Sequence, residues 1–428
     1  MSELIIKLKQ HTPIIHFQHY QEGATLRASE LKPKLDKFLI ENFDQYGIDY
    51  RKWLIGTGKH PALNYKVKII PSKNVTYYLP LPLKLDSQNH HRSLNLKRFI
   101  KEKLNIDIEI LAPSPFFANS DKIKFNGNDN VDLAQTKVNS LIFAVYSSEE
   151  TKLKFTAWDE NLLQYINDNI SLFFLTNNFG TRQDKGFGSF TVSCINGSNI
   201  YINKHELKSV YIKKSQSMFK CFNDIFQFIL DEYQLIKSGK NYPNYHKSKL
   251  FEYFIQKHNI LWEKRFIKQK INSNKILNKN LFYTREPIDL ENSTNQDYND
   301  WKDHQKNNYA FVRALLGLAE QYEFLVDNNH SPDKKFKYIV SIKHKPEVGA
   351  EIIERFPSPI FFKVIDNIVY LGINDTYKNI LNEEFEFKLR LKGDRNNTEK
   401  NLGSLKVPSN FDLKDFITKY LSVNWTDL

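Results

Sequence analysis

Residues 177 to 190, NNFGTRQDKGFGSF, constrain the fold more than any other stretch. The chain holds 15 glycines in 428 residues, yet Gly180, Gly186 and Gly188 fall within nine positions, with Arg182 and Lys185 between them. Glycine is favoured where the backbone needs positive φ or must approach another backbone closely, and it weakens regular elements. The stretch therefore reads as a purpose-built loop. It is not a phosphate loop, because no Lys-Ser/Thr pair follows Gly186 or Gly188. Nor is it a dinucleotide fingerprint: the GxGxxG spacing is absent and the loop leads into a strand rather than a helix. It does offer glycine backbone that an RNA sugar-phosphate chain can approach, with Arg182 and Lys185 to neutralise phosphate and Phe179 and Phe187 as packing or stacking rings. The competing reading is a structural glycine turn packed on the preceding helix, and the loop residues alone leave both open.

The flanks place the loop. ELIIKLKQ (3–10) alternates as a strand does, and Pro13 ends or bends it. ASELKPKLDKFLIENF carries Leu31, Leu35, Phe38 and Leu39 at helical spacing, with Ser29 as its expected cap. SLIFAVYSS (140–148) and KLKFTAW read as strands. DENLLQYINDNISLFFL reads as a helix capped by Asp159, and FGSFTVSCI (187–195) as a strand. Strand, helix, strands, helix, loop, strand is the order of a ferredoxin-like unit. Residues 44–112, with ALNYKVKII, YYLPLPL and SLNLKRFIKEKL, are read as an insertion on this first domain.

Beyond residue 215 the apolar period becomes helical. Phe222, Phe226, Ile229 and Tyr233 share a face, LFEYFIQKHNILWEKRFIKQKI continues, and YAFVRALLGLAEQYEFL (309–325) is expected as a third helix, while 286–300 reads as a loop. From 335 strands return in KFKYIVSIKH, PIFFKVIDNIVYLGI and EFEFKLRLK, with a last helix near 411–421. The expected fold class is α+β: a ferredoxin-like domain over 1–205, a helical region over 206–334, and a second, divergent ferredoxin-like half over 335–428.

The net charge of +12, from 61 basic and 49 acidic residues, favours polyanionic partners and nucleic acid first. A general Lys- and Asn-rich bias produces the same excess. Two isolated cysteines exclude a disulfide framework and a CxxC metal or redox motif, and fit a reducing cytoplasm. The N-terminus lacks the layout of a secretory signal, and no apolar run reaches membrane-spanning length. No motif asks for a cofactor.

The pattern G-x-R-x-x-K-G-F-G-S, Gly180 to Ser189, resembles the glycine-rich loop of the RAMP superfamily, the ferredoxin-like RNA-binding subunits of CRISPR-Cas systems. HTPIIHF followed by ATLRASELKPKLDKFL resembles the opening of the members that build the type III-B (Cmr) effector. ERFPSPIFFKV (354–364) resembles their Arg-x-x-Ser-Pro-apolar strand. The overall layout looks most like the first RAMP subunit of that effector. Two departures stand out: NN where many relatives have paired glycines, and the stretch 44–112. The resemblance implies CRISPR guide RNA and target RNA, with other Cmr subunits, as partners. It implies backbone-facing roles for Arg27, Ser29, Lys32 and Lys34 at the first helix, and for Gly180, Arg182, Lys185, Gly186, Phe187 and Gly188 in the loop.

CRISPR RNA-processing endoribonucleases share this fold and can cleave without metal, through a histidine of near-neutral pKa; here His16 and His91, the latter beside His90 and Arg92, are the candidates. In those enzymes, however, the loop lies near the C-terminus, whereas about 240 residues follow it here. Target-cutting RAMP subunits use a metal-binding aspartate after the first strand, and QHYQEGATLR offers Glu22 and no aspartate. Asp121, Asp129 and Asp132 sit in KIKFNGNDNVD, which turn chemistry explains. The expectation is an RNA-binding subunit without a catalytic or metal site.

Overall fold

The structure is a computed structural model that describes residues 2–16, 26–56, 62–72, 74–81, 87–112, 123–126, 131–132, 135–240, 246–273, 308–326, 336–347, 349, 351–391, 399–421 and 423–428. It is a mixed α+β chain of several small sheets, and it divides into two compact units. One comprises residues 1–232, 361–373 and 422–428; the other comprises 233–360 and 374–421.

The first unit is built on an antiparallel sheet. Strand β1 (Ser2–Gln10) buries Leu4, Ile6 and Leu8 and exposes Glu3, Lys7 and Lys9, the period of two expected from its sequence. Helix α1 (Ala28–Tyr46) buries Leu31, Leu35, Leu39 and Phe43, one residue per turn. Its N-cap is Arg27, with no side-chain capping bond, so Ser29 is not the cap; it lies exposed in the first turn. Strands β2 (Tyr65–Ile70) and β3 (Thr151–Ala157) follow, then helix α2 (Glu160–Thr176) and strand β4 (Phe190–Ile195). Asp159 caps α2 as its sequence predicts, its carboxylate accepting from the Asn161 amide at 2.9 Å.

The sheet runs β4-β1-β3-β2, with the two-residue strand Ser198–Asn199 outside β4, every pairing antiparallel. Both helices pack on the face carrying Leu4, Ile6, Leu8, Leu153, Phe155 and Val192. The second strand of the sheet comes from residues 65–70, inside the stretch read as an insertion, and not from 140–148. Ala144–Tyr146 instead pairs in a separate sheet with Ile14–Ile15 and Thr76–Pro80, beside which runs Ile108–Leu111. The helix Ser87–Leu104 closes the core of that sheet through Leu96, Phe99 and Ile100. A third sheet combines Tyr211–Ser215 with Trp425–Asp427 and the hairpin of β5 (Ile360–Ile365) and β6 (Ile368–Ile373). Helix α3 (Phe222–Lys237) begins in this unit and buries Ile225, Phe226 and Ile229.

The second unit holds a four-stranded antiparallel sheet of Gln321–Val326, Phe336–His344, Glu384–Leu391 and Lys400–Lys406. Helices Lys249–His258, Glu263–Ser273 and Leu413–Tyr420 belong to the same unit. The helix expected over 309–325 does not form. Tyr309–Ala310 is a strand, Val312–Leu316 is one short 3-10 stretch, and Gly317, at φ +101°, breaks the chain before Gln321 pairs with Ser341. The alternation in QYEFLV and a partner strand override the helical spacing. Residues 335–428 divide between two sheets instead of forming one contiguous half. The loop expected over 286–300 lies outside the described residues.

Candidate nucleic-acid interface

The glycine loop joins α2 to β4 and is fixed from three sides. Gly180 (φ +80°) donates its amide to Glu30 Oε1 of α1 at 2.7 Å, and a Cβ there would sit 2.5 Å from the Ile15 carbonyl oxygen. Gly188 (φ +63°) is tighter still, since a Cβ would lie 1.9 Å from the Phe179 carbonyl oxygen. The reason for glycine at these positions is thus backbone crossing backbone: the Gly188 carbonyl accepts from the Phe179 amide, the Gly188 amide donates to the Pro13 carbonyl, and the Thr181 amide donates to the Ile15 carbonyl. Thr12 Oγ donates to the Gly186 carbonyl at 2.7 Å and accepts from the Ser189 amide at 2.9 Å. The HTP segment, read as a strand end, is therefore also the inner wall of the loop.

The third side comes from β5. Phe362 donates its amide to the Asp184 carbonyl, Asn178 Nδ2 donates to the carbonyls of Gln183 (2.6 Å) and Phe362 (2.8 Å), and Ser189 Oγ donates to the Val364 carbonyl at 2.6 Å. Lys363 is fully buried and donates to the Phe174 and Asn177 carbonyls, both at 2.7 Å, at the C-terminal end of α2. Burial, with Lys34 adding repulsion, holds its amine well below the usual lysine range. His11, also buried, accepts from the Asp366 amide at Nδ1 (3.2 Å), so its proton sits on Nε2 and goes to Thr191 Oγ at 2.7 Å. Burial lowers its pKa to about 3, the nearby Asp366 carboxylate opposing only in part.

The candidate residues separate on this frame. Arg182 is exposed at the loop's outer turn and adopts φ +59°, a left-handed conformation uncommon for arginine. Lys185, by contrast, is buried and paired with Asp184 at 2.9 Å. Phe187 is a core residue and not a stacking platform: it is fully buried and stacks on Phe226 at 4.0 Å. Phe179 is likewise buried, among Phe173, Phe174 and Phe190. Lys32 turns inward to Asp36 (2.7 Å), the Leu63 carbonyl (2.9 Å) and the Tyr65 ring. Lys34 reaches the loop itself, through the Asn178 carbonyl (3.0 Å) and Gln183 Oε1 (2.6 Å), with Glu30 beside it. Both lysines thus act within the fold, Lys34 as a strut between α1 and the loop. Arg27 is partly buried at the head of α1.

Of the histidines, His16 is buried just after Ile14–Ile15 and His91 is exposed on the helix Ser87–Leu104. Asp132 serves a turn, its carboxylate accepting from the Gln135 amide at 3.2 Å; Glu22, Asp121 and Asp129 lie outside the described residues. Among the described residues no three His, Cys, Asp or Glu converge as metal ligands, and no helix is long and apolar enough to cross a membrane.

The chain belongs to the Cmr1 family: the Cmr1 N-terminal domain matches residues 1–240 and the Cmr1 C-terminal domain matches residues 245–426. The similar solved structures include Cmr1 from Pyrococcus furiosus in its apo form, at 10% identity and a TM-score of 0.32, covering 55% of this chain and 72% of that one. Another is a chain of the type III-B Cmr-beta complex bound to cognate target RNA, at 12% identity and a TM-score of 0.24, covering 48% and 60%. A third is a chain of Cmr-beta bound to cognate target RNA and AMPPnP in the presence of ssDNA, at 14% identity and a TM-score of 0.24, covering 53% and 62%. Comparison with curated proteins gives no match. Family membership rests on the two domain matches.

Proposed function

We propose that this chain is a non-catalytic RNA-binding subunit of a type III-B Cmr effector in antiviral defence, contacting guide RNA and the 3′ side of target RNA alongside other Cmr subunits. The order β1-α1-β2-β3-α2-β4, with the sheet running β4-β1-β3-β2 and both helices on one face, is read as a ferredoxin-like unit. The observation that carries the reading is the loop between α2 and β4. Its backbone is fixed on three sides, and Arg182 is held exposed at its outer turn. An arginine there neutralises phosphate, while the crossing backbones set the angle at which a strand of RNA approaches. Binding of this kind is sequence-tolerant.

The test is retention of end-labelled repeat-spacer RNA by the full chain, without metal, across a salt series. Arg182→Gly suits it, because φ +59° accepts glycine without strain and the fold is kept. The variant is expected to retain RNA less well, with the salt slope lowered by about 0.7, the share of one phosphate on a single strand. An unchanged slope rejects the loop as an RNA contact. A single defined cut in the wild-type lane, lost in His16→Ala or His91→Ala, would make the protein an endoribonuclease instead.

A further inference from the structure

The face of the central sheet turned away from α1 and α2 carries six lysines. Lys7 and Lys9 come from β1, Lys66 and Lys68 from β2, and Lys152 and Lys154 from β3. Their neighbours along each strand, such as Leu8, Val67, Leu153 and Phe155, point into the core, so the six share one side. The register sets Lys7 directly opposite Lys152, and Lys154 directly opposite Lys68.

Like charges facing each other across a sheet are destabilising. Lysines on an edge strand are a common guard against aggregation, and that accounts for Lys66 and Lys68 on β2. It does not account for Lys7, Lys9, Lys152 and Lys154, because β1 and β3 are interior strands. Three carboxylates answer part of the charge: Glu150 pairs with Lys7 (3.2 Å), Asp366 with Lys9 (2.7 Å) and Glu3 with Lys154 (2.5 Å). Lys66, Lys68 and Lys152 make no ion pair among the described residues.

One residue past β3, at the end where Lys66 faces Thr156, stands Trp158, 78% exposed. Trp53, Trp262 and Trp425 are 5–8% exposed. An exposed indole at the Lys66 end of a face that runs on through Lys68 to Lys152 suits an extended ligand with both phosphates and flat bases, stacking adding to the electrostatic term.

We infer that this lysine face, with Trp158 at its end, is a second surface for single-stranded RNA, separate from the glycine loop. The inference rests on the RNA-binding reading of the chain but not on the loop.

Its test uses the full chain and polyuridine, read both by salt-dependent retention and by quenching of Trp158, the latter taken as the difference between wild type and Trp158→Phe. Replacing Lys66, Lys68 and Lys152 together with alanine is expected to weaken retention several-fold at low salt. It should lower the slope by about 2, three phosphates' worth, and abolish the quench. Arg182→Gly should leave the quench in place. If Arg182→Gly weakens retention and the triple variant does not, the loop reading stands and this inference is overturned. If the triple variant alone weakens it, the inference stands without the loop. Polyglutamate that quenches Trp158 as well as polyuridine does would overturn it, as would a triple variant that holds RNA normally but no longer joins other Cmr subunits; the face would then serve an acidic protein.

Discussion

At the scale of single residues, the most informative side chain is His11. Its folded pKa of about 3 lies below the ordinary histidine value of 6.5, so between those values the unfolded chain binds the extra proton. Stability conferred by the neutral, buried ring is complete above pH 6.5 and is lost as pH falls toward 3, at up to about 1.4 kcal/mol per pH unit. Urea midpoints for wild type and His11→Gln, measured on both sides of pH 6.5, are expected to converge on acidification; parallel curves would mean that His11 does not set the acid limb. Some residue roles were legible in the sequence, such as Asp159 as a cap, because a cap and its helix are neighbours in the chain. Lys363 was not legible. In IFFKVI it looks like an outward strand position, and only the approach of the last turn of α2, nearly two hundred residues earlier, gives it two carbonyls to hold.

At the scale of elements, the loop was readable because glycines cluster where backbones cross. The sequence left open whether it was a contact surface or a packed turn, and the structure makes most of its residues packing. Gly188→Ala puts a methyl group 1.9 Å from the Phe179 carbonyl oxygen and is expected to cost roughly 2–4 kcal/mol. Gly47→Ala, at φ +66° with open space around it, should cost only about 1 kcal/mol from its left-handed backbone. Urea unfolding of both variants checks this, and equal losses would remove the argument from backbone crossing. The segment 309–325 misled for a related reason. Its apolar spacing fits a helix locally, but Phe311, Val312, Leu315 and Leu316 are all buried and QYEFLV finds a strand partner. Periodicity reports which side of an element is apolar, not what lies across from it.

At the scale of the molecule, the first unit is assembled from three separate pieces of chain. The Cmr1 N-terminal match ends at residue 240, before the clamp residues Phe362, Lys363 and Val364. A fragment of residues 1–240 is therefore expected to exchange the amide protons of Phe179 and Gly188 much faster than the full chain, and to regain protection when residues 241–428 are supplied in trans. Full protection in the fragment alone would show that β5 is dispensable for the loop. Neither this dependence nor the displacement of the second sheet strand to residues 65–70 could be read in advance, since pairing partners distant in sequence leave no local signal.

The clamp also sets a schedule for the chain as it is made. Lys363 leaves the ribosome 175 residues after Gly188, an interval of roughly 10 to 35 seconds at ordinary synthesis rates. Until then the loop lacks its third wall, and a chain that stops early never acquires it. Synthesis past β5 thus becomes a condition for a properly formed loop, and chains that end earlier are left with one walled on two sides only.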